Sequence, residues 1–262
     1  MNLKSKLGLI AAGTAALALF PAAAMAKDGP YVGVSGGVAL PNDSNNSGSF
    51  DATVPATDDF GAIPAGTPLG WNTEFDTGYA INGQVGYAFD NGFRIEVEGA
   101  YTRYGVDTHT GLTVGGANID SVDVAVLTRG APAAANPTVG AVIADGQGRV
   151  SNFGLFGNVF YDIDTGSSFK PFVGAGLGYQ WADVRYRPSG VDVADDNDGG
   201  LAYQLMAGAS VALSDSAELF GQYTWRDRTD TANVPLNLLP ANLGVETGQS
   251  IISAGVRIKL GQ

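Results

Sequence analysis

Apolar and polar residues alternate with a period of two in eight separate segments of the chain, each of about ten residues or slightly more. The segments span 31–40, 78–89, 93–103, 151–163, 171–184, 201–213, 217–226 and 250–260. The third is the most regular, because Phe93, Ile95 and Val97 alternate there with charged side chains. This period indicates β-strands, and many such segments in one chain are typical of a transmembrane β-barrel.

The links between these segments are alternately long and short. Short turns follow the second, fourth and sixth segments, and the first of them contains the hairpin sequence Asp90-Asn91-Gly92. The four long links are 41–76, 105–149, 185–200 and 227–248. The sequence therefore predicts an all-β fold, an eight-stranded antiparallel up-and-down transmembrane β-barrel with short periplasmic turns and four long extracellular loops.

The two faces of the predicted strands differ in charge. One face is nearly free of charge and has aromatic residues near its ends, as in the interfacial girdles of membrane barrels. The other face has the charged residues that we expect in the lumen: Arg94, Glu96, Glu98, Glu218, Arg257 and Lys259. A soluble β-sandwich is the alternative, but it does not explain the alternating link lengths.

The first 26 residues have the features of a secretory signal peptide. Lys4 and Lys6 precede the apolar stretch 7–20, and Ala24-Met25-Ala26 is a small-residue cleavage site. We expect cleavage after Ala26 and a single barrel domain over 27–262. An uncleaved anchor is the alternative, although the apolar stretch is shorter than the roughly 20 residues of a spanning helix.

Composition excludes several functions. Charged residues make up 15% of the chain, against about 25% in an average soluble protein, and the net charge is −12. A nucleic-acid binder is not expected, because phosphate affinity comes from clustered Lys and Arg. With no Cys, disulfide frameworks, thiolate zinc sites and cysteine catalysis are excluded.

Several stretches resemble the small outer-membrane β-barrel proteins, namely the transmembrane domain of outer-membrane protein A and its relatives among opacity proteins and surface antigens. These stretches are 30–37, 170–179 and 202–208. The last segment resembles the assembly signal of such barrels, with Ser253, Gly255, Ile258 and Leu260 at its key positions, although Leu260 replaces the usual terminal aromatic residue. No peptidoglycan-binding segment follows, so cell-wall anchoring is not expected.

The resemblance implies a location in the cell outer membrane. The chain would be secreted to the periplasm through its signal peptide and inserted by the barrel-assembly machinery. Its other partners would be outer-membrane lipid and lipopolysaccharide, and it would be a monomer.

The lumenal charges are expected to form pairs, because an ion in a narrow barrel is costly unless it is partnered. Antiparallel pairing of the last two strands places Glu218 near Arg257 and Lys259, and Arg94 can reach Glu96 on its own strand. Two interpretations remain open. The charges form either a polar plug that stabilises the barrel or a gated, narrow pore in which the pairs exchange partners.

The long links are acidic, and the first has six acidic residues and no basic one. They are expected to be solvated and partly disordered, or else to bind divalent cations bridging to lipopolysaccharide or a basic partner. The stretch 195–199 partly matches a calcium loop, although Ala194 breaks the pattern. The apolar stretch 122–127 is expected to form a hairpin above the membrane or to contact a partner.

His109, the only histidine, lies in the second link, far in sequence from any serine on a strand. An enzyme is therefore not expected, and no catalytic, cofactor or metal site is predicted. The sequence favours a non-enzymatic outer-membrane barrel that contributes to envelope structure and surface-loop interactions. The alternative is a narrow porin-like channel for ions or small solutes.

Overall fold

The computed structural model describes residues 29–260, and the predicted signal peptide over 1–26 lies outside these residues. Thirteen strands form within this range: β1 (Gly29–Pro41), β2 (Ser44–Phe50), β3 (Pro68–Phe75), β4 (Gly78–Ala88), β5 (Phe93–Val114), β6 (Ala117–Asn118), β7 (Gly148–Asp162), β8 (Phe169–Tyr186), β9 (Ala194–Ala212), β10 (Ala217–Arg228), β11 (Ala232–Pro235), β12 (Ala241–Val245) and β13 (Gln249–Lys259). Two short helices, α1 (Ala125–Thr128) and α2 (Val139–Ile143), and a 3-10 turn over Pro188–Gly190 complete the fold. No helix in this range is long and apolar enough to cross a membrane.

Eight of the strands close into a ring. The order around the ring is β1, β4, β5, β7, β8, β9, β10 and β13, with β13 returning to β1, and every neighbouring pair is antiparallel. Each predicted segment corresponds to one of these strands. The predicted short turns join β4 to β5, β7 to β8 and β9 to β10 at one end of the ring, here called the short-turn end. The eight-stranded antiparallel barrel is therefore confirmed.

The apolar face of the ring points outward, as predicted. Leu177 is 75% exposed and Val34 is 59% exposed, whereas the residues between the outward-facing positions are mostly buried in the lumen. Aromatic pairs lie on the outer surface near both ends. Tyr87 and Phe89, with ring centroids 4.9 Å apart, mark the short-turn end. Phe153 and Trp181, at 5.7 Å, mark the other. An apolar, aromatic-edged outer surface suits lipid rather than water.

The long links are not the disordered loops that their acidity suggested, and that prediction is wrong. The first, second and fourth links form a second sheet at the opposite end of the ring, the loop end, in the order β11, β12, β2, β3, β5 and β6. Most of the third link continues β8 and β9 beyond the predicted segments. This loop-end sheet has its own apolar core, which includes Phe50, Leu69, Phe75, Val234 and Leu243. In the sequence these apolar residues are separated by acidic and small residues. The acidity of the links therefore gave no indication that they share an apolar core.

Several ring strands also extend into the loop end. β5 has 22 residues and β9 has 19, about twice the 9–11 residues that span a bilayer. The stretch 122–127 does not form the expected hairpin. It makes a turn and then α1, with Ala125 buried and Val126 and Leu127 packed against the loop-end core.

Candidate functional site

The lumen near the short-turn end is filled around Arg94. The Nε of Arg94 donates to Asp162 Oδ2 at 2.7 Å, its Nη1 donates to the Tyr31 hydroxyl at 3.2 Å, and Nη1 lies 3.9 Å from Glu96 Oε2. Its guanidinium also lies 4.5 Å from the ring centroid of Phe160. Arg94 and Glu96 are close to each other, as predicted. The carboxylate nearest to the Arg94 guanidinium is that of Asp162, however, which lies on the neighbouring strand β7.

A second layer lies deeper in the lumen and spans it. The Nη2 of Arg226 donates to Glu98 Oε1 at 2.7 Å, and its Nε donates to Gln204 Oε1 at 2.8 Å. The Arg226 guanidinium lies 4.3 Å from the ring centroid of Phe156. Arg226 was not among the predicted lumenal charges, and its partner could not be found from sequence because β5 and β10 are not neighbours.

The third ion pair joins neighbouring strands. Glu218 and Arg257 are opposite each other in the register of β10 and β13, and Arg257 Nη1 donates to Glu218 Oε2 at 2.9 Å. Lys259 lies two residues further along β13 and is partly exposed. The structure thus brings Glu218 to Arg257, one of the two partners that antiparallel pairing suggested.

Glycines on the lumenal face give the aromatic rings their space. A Cβ on Gly174 would collide with the Phe160 ring, and a Cβ on Gly178 would collide with the Phe156 ring and the Leu155 carbonyl. Close packing of rings against bare backbone leaves little free volume beside the ion pairs. The lumen at membrane depth therefore resembles a packed polar core more than a water-filled channel.

The predicted assembly-signal residues all lie at or beside β13. Ser253 faces the lumen, whereas Ile258 and Leu260 are 48% and 45% exposed on the lipid side. Gly255 lies so close to the Val34 carbonyl and the Phe220 ring that a Cβ would collide with both. Their role in assembly remains a prediction.

A cavity of about 160 Å³ lies within the loop end. Its walls come from every long link, and most of them are aliphatic or aromatic: Phe50, Leu69, Trp71, His109, Leu112, Val114, Val124, Leu127, Thr128, Val142, Ile143, Tyr186, Pro188, Val191, Val193, Leu236, Leu238 and Leu239. Leu238 and Val191 are 52% and 45% exposed, so the cavity reaches the surface at these residues. Sequence reasoning missed it, because its walls come together only when the links fold.

One wall of the cavity consists of three aromatic rings. His109 lies 4.8 Å from Tyr186 and 6.3 Å from Trp71, measured between ring centroids, and both contacts are edge-on. The sequence placed His109 in a loop, but it lies on the extended part of β5. Its side chain is buried there, with 2% of its surface exposed. Burial away from water lowers the pKa of His109 to about 4, so the ring is neutral at pH 7.

The stretch 195–199 does not form a loop that could enclose calcium. It lies in β9, where Asp195 pairs with Arg185 at 2.8 Å and Asp198 pairs with Arg228 at 3.1 Å. Two of its carboxylates are thus already neutralised by arginines on neighbouring strands. The partial match of this stretch to a calcium loop therefore has no counterpart in the structure of β9.

Comparison with known proteins agrees with this architecture. The family described as outer membrane protein beta-barrel domain matches residues 12–257, so the chain belongs to that family. An outer membrane protein of Gluconacetobacter diazotrophicus is 29% identical over 224 residues, which is 80% of this chain and 50% of that protein. The chain thus spans about half the length of this curated relative.

Two solved structures of outer-membrane proteins match most of this chain. The outer membrane protein OprG of Pseudomonas aeruginosa has a TM-score of 0.51 and 16% identity, with 90% of this chain and 98% of that chain covered. Neisserial surface protein A has a TM-score of 0.43 and 17% identity, with 88% and 97% covered. The protein is a small outer-membrane β-barrel. Such barrels place their short turns in the periplasm, so the loop end faces the outside of the cell.

Proposed function

We propose that this protein is a non-enzymatic outer-membrane barrel that captures a small apolar molecule in the cavity of its loop end. The observation that carries the proposal is the cavity itself, which is walled by apolar side chains and reaches the surface beside Leu238 and Val191. An apolar cavity of about 150 Å³ in another protein stays dry and binds benzene or xenon. A cavity of about 160 Å³ is suited to a guest of similar size.

The packed lumen supports this proposal. Three lumenal ion pairs and the rings of Phe156, Phe160 and Phe172 make the membrane-spanning part a rigid base for the loop-end sheet. A closed barrel with a folded external sheet suits a role in envelope structure and surface interactions. Capture of an apolar molecule is the kind of surface interaction that the cavity favours. The lipid face would contact outer-membrane lipid and lipopolysaccharide.

The surroundings of His109 support a non-enzymatic role. Outer-membrane hydrolases generally need a histidine beside a nucleophile or a carboxylate. The Nδ1 of His109 shares a hydrogen bond with the Thr73 hydroxyl, and among the described residues no serine or carboxylate bonds to its ring. The ring is buried between Trp71 and Tyr186 instead.

A narrow channel for ions or small solutes is the second candidate. It is favoured by the charged side chains along the lumen, which include Arg94, Glu98 and Arg226. Ion pairs of this kind would have to separate to let a solute pass. Their short distances and the rings packed beside them favour the closed state.

The proposal is tested by quenching the fluorescence of Trp71 with 1-bromooctane. The double substitution Trp181→Phe, Trp225→Phe leaves Trp71 as the single tryptophan, because the chain has three. Protein in lipid nanodiscs is titrated, and concentrations are corrected for partition into empty nanodiscs. We expect quenching that saturates, as occupation of one site requires. Quenching that rises linearly with the bromooctane in the lipid would contradict the proposal.

A matched pair of variants locates the site. Val142→Phe with Val193→Phe fills the cavity, whereas Val173→Phe makes the same kind of change on the lipid face, where Val173 is 52% exposed. The cavity variant should lose saturable quenching and the lipid-face variant should keep it. Circular dichroism spectra establish that both fold.

A further inference from the structure

Three arginines form a row on the outer surface of the ring at the loop end. Arg103, Arg149 and Arg185 lie on the adjacent strands β5, β7 and β8, at outward-facing positions of the alternation. Arg149 is directly opposite Arg185 in the register, and Arg103 lies diagonally from Arg149 because it faces Ser151. On the other five ring strands, as far as they are described, no basic side chain points outward. The outward cations of this acidic chain are thus collected on one side of the barrel.

The arginine row lies just outside the aromatic girdle. Arg149 and Arg185 are each four residues beyond the stacked rings of Phe153 and Trp181, in the direction of the loop end. A strand rises about 3.3 Å per residue and is tilted by about 40° in such barrels, so the two arginines lie roughly 10 Å outside the girdle. Aromatic girdles mark the boundary between membrane and water. The row is therefore at the depth of the lipid headgroups of the outer leaflet.

Two members of the row have no partner in the chain. Among residues 29–260, neither Arg103 nor Arg149 forms an ion pair or a side-chain hydrogen bond. Arg185 pairs with Asp195 at 2.8 Å, but its Nε is buried without a partner. Like charges directly opposite each other on neighbouring strands are destabilising. An anion bound between Arg149 and Arg185 would remove this repulsion.

Two carboxylates on the same surface do not supply that anion. Asp183 is opposite Ser151, and Asp76 lies beside Gly105, which is itself opposite Arg149. In the described part of the chain, neither carboxylate forms an ion pair within 4.0 Å. Because both carboxylates repel an anion, the ligand needs enough charge and enough oxygens to engage more than one arginine.

From this placement we infer that the arginine row binds a phosphate group of lipopolysaccharide in the outer leaflet. Arginine donates paired N–H groups to phosphate, and a phosphate monoester has about −1.5 to −2 charges and three free oxygens. It can therefore accept from Arg149 and Arg185 together. The phosphodiester of a phospholipid has less charge and fewer free oxygens. The inference requires only that the barrel lies in the outer membrane, and it does not depend on the loop-end cavity.

The test measures binding of lipid A to the protein in detergent micelles by native mass spectrometry. Diphosphorylated lipid A is compared with lipid A stripped of both phosphates, which keeps the sugars and acyl chains. We expect the phosphorylated form to bind about tenfold more tightly. The double variant Arg103→Gln, Arg149→Gln should lose most of this preference. Its circular dichroism spectrum should be unchanged, because neither side chain bonds to the rest of the chain.

Two further variants show which charges matter. Lys170→Gln also removes one positive charge, but Lys170 lies on β8 near the short-turn end, so the preference for phosphorylated lipid A should remain. Asp183→Asn removes a charge that repels phosphate, so affinity for phosphorylated lipid A should rise. If Asp183 instead held a divalent cation that bridges to the phosphate, this variant and EDTA would both weaken binding.

Each remaining outcome would overturn the inference. Equal binding of the two forms of lipid A would show that the phosphates are not recognised. Equal preferences in the double variant and in Lys170→Gln would show that the arginine row is not the site. Weakening by EDTA and by Asp183→Asn would assign the phosphate to a bridging cation rather than to arginine. Phosphatidylglycerol that binds as tightly as phosphorylated lipid A would overturn the assignment to lipopolysaccharide.

Discussion

Arg226 and Glu98 form an ion pair across the full width of the barrel, with Nη2 and Oε1 2.7 Å apart. Arg226 lies on β10 and Glu98 on β5, and these strands are opposite each other, four steps apart in either direction around the ring. Both side chains are at most 5% exposed. The pair therefore ties together two walls that share no backbone hydrogen bonds.

Breaking this pair should strongly destabilise the barrel. Arg226→Leu leaves the Glu98 carboxylate buried without its cation, and removing one partner of a buried pair costs about 3–5 kcal/mol. Urea unfolding of the protein in detergent, followed by tryptophan fluorescence, gives the change in the free energy of unfolding. The control is Arg187→Leu, whose pair with Asp192 is about half exposed and should be worth no more than about 1 kcal/mol. Equal effects from both variants would refute the role given to the central pair.

Glycines of the lumenal face should be far less tolerant than those of the lipid face. A methyl group on Gly178 would collide with the Phe156 ring and the Leu155 carbonyl, whereas the nearest atom to one on Gly157 is the Leu177 carbonyl oxygen at 3.9 Å. Gly178→Ala should cost about 1–3 kcal/mol, as overpacking of a filled core does. Gly157→Ala should change the free energy of unfolding little. A tolerated Gly178→Ala would mean that the lumen is more loosely packed than described.

Stability of the loop end should depend on pH through His109. Its pKa is about 4 in the folded protein, below the 6.5 of an exposed histidine, so the unfolded chain binds more protons between these values. The stabilisation is complete above about pH 6.5 and is lost as pH falls toward 4, by about 3 kcal/mol in all. Urea unfolding followed through Trp71 fluorescence at several pH values measures this.

His109→Phe is the matched control for the pH experiment. Other titrating groups contribute to both proteins, so the difference between the two pH profiles isolates His109. The variant should show a shallower decline between pH 6.5 and 4. Parallel profiles would show that His109 titrates normally and is not buried as described.

The barrel could be predicted from sequence because its signal is repeated. Alternation places Arg94 and Glu96 on one face, and antiparallel neighbours bring Glu218 to Arg257, so these contacts follow from strand order alone. The pair of Arg226 with Glu98 does not, since it depends on how the ring closes and how its strands are staggered. Similarly, Asp162 was assigned to the end of a strand with no indication of its partner.

The loop end was missed for a different reason. Leu69, Val234 and Leu243 come from separate short strands, each too brief to show a clear period against the acidic residues around it. Hydrogen bonds connect Asn46 on β2, Thr73 on β3 and His109 on β5, and these strands are far apart in sequence. Only the folded sheet shows that the lone histidine faces a cavity.

The proposed function lies at the loop end, because packed side chains and ion pairs close the lumen at membrane depth. Single-channel recording of the native protein in planar bilayers tests this most directly, with a general porin from the same detergent as the positive control. We predict no discrete conductance steps above the lipid background, in the native protein and in the Glu96→Gln, Glu98→Gln double variant alike. Discrete openings in the native protein that the double variant alters would contradict the account and make the lumenal charges the gate of a pore.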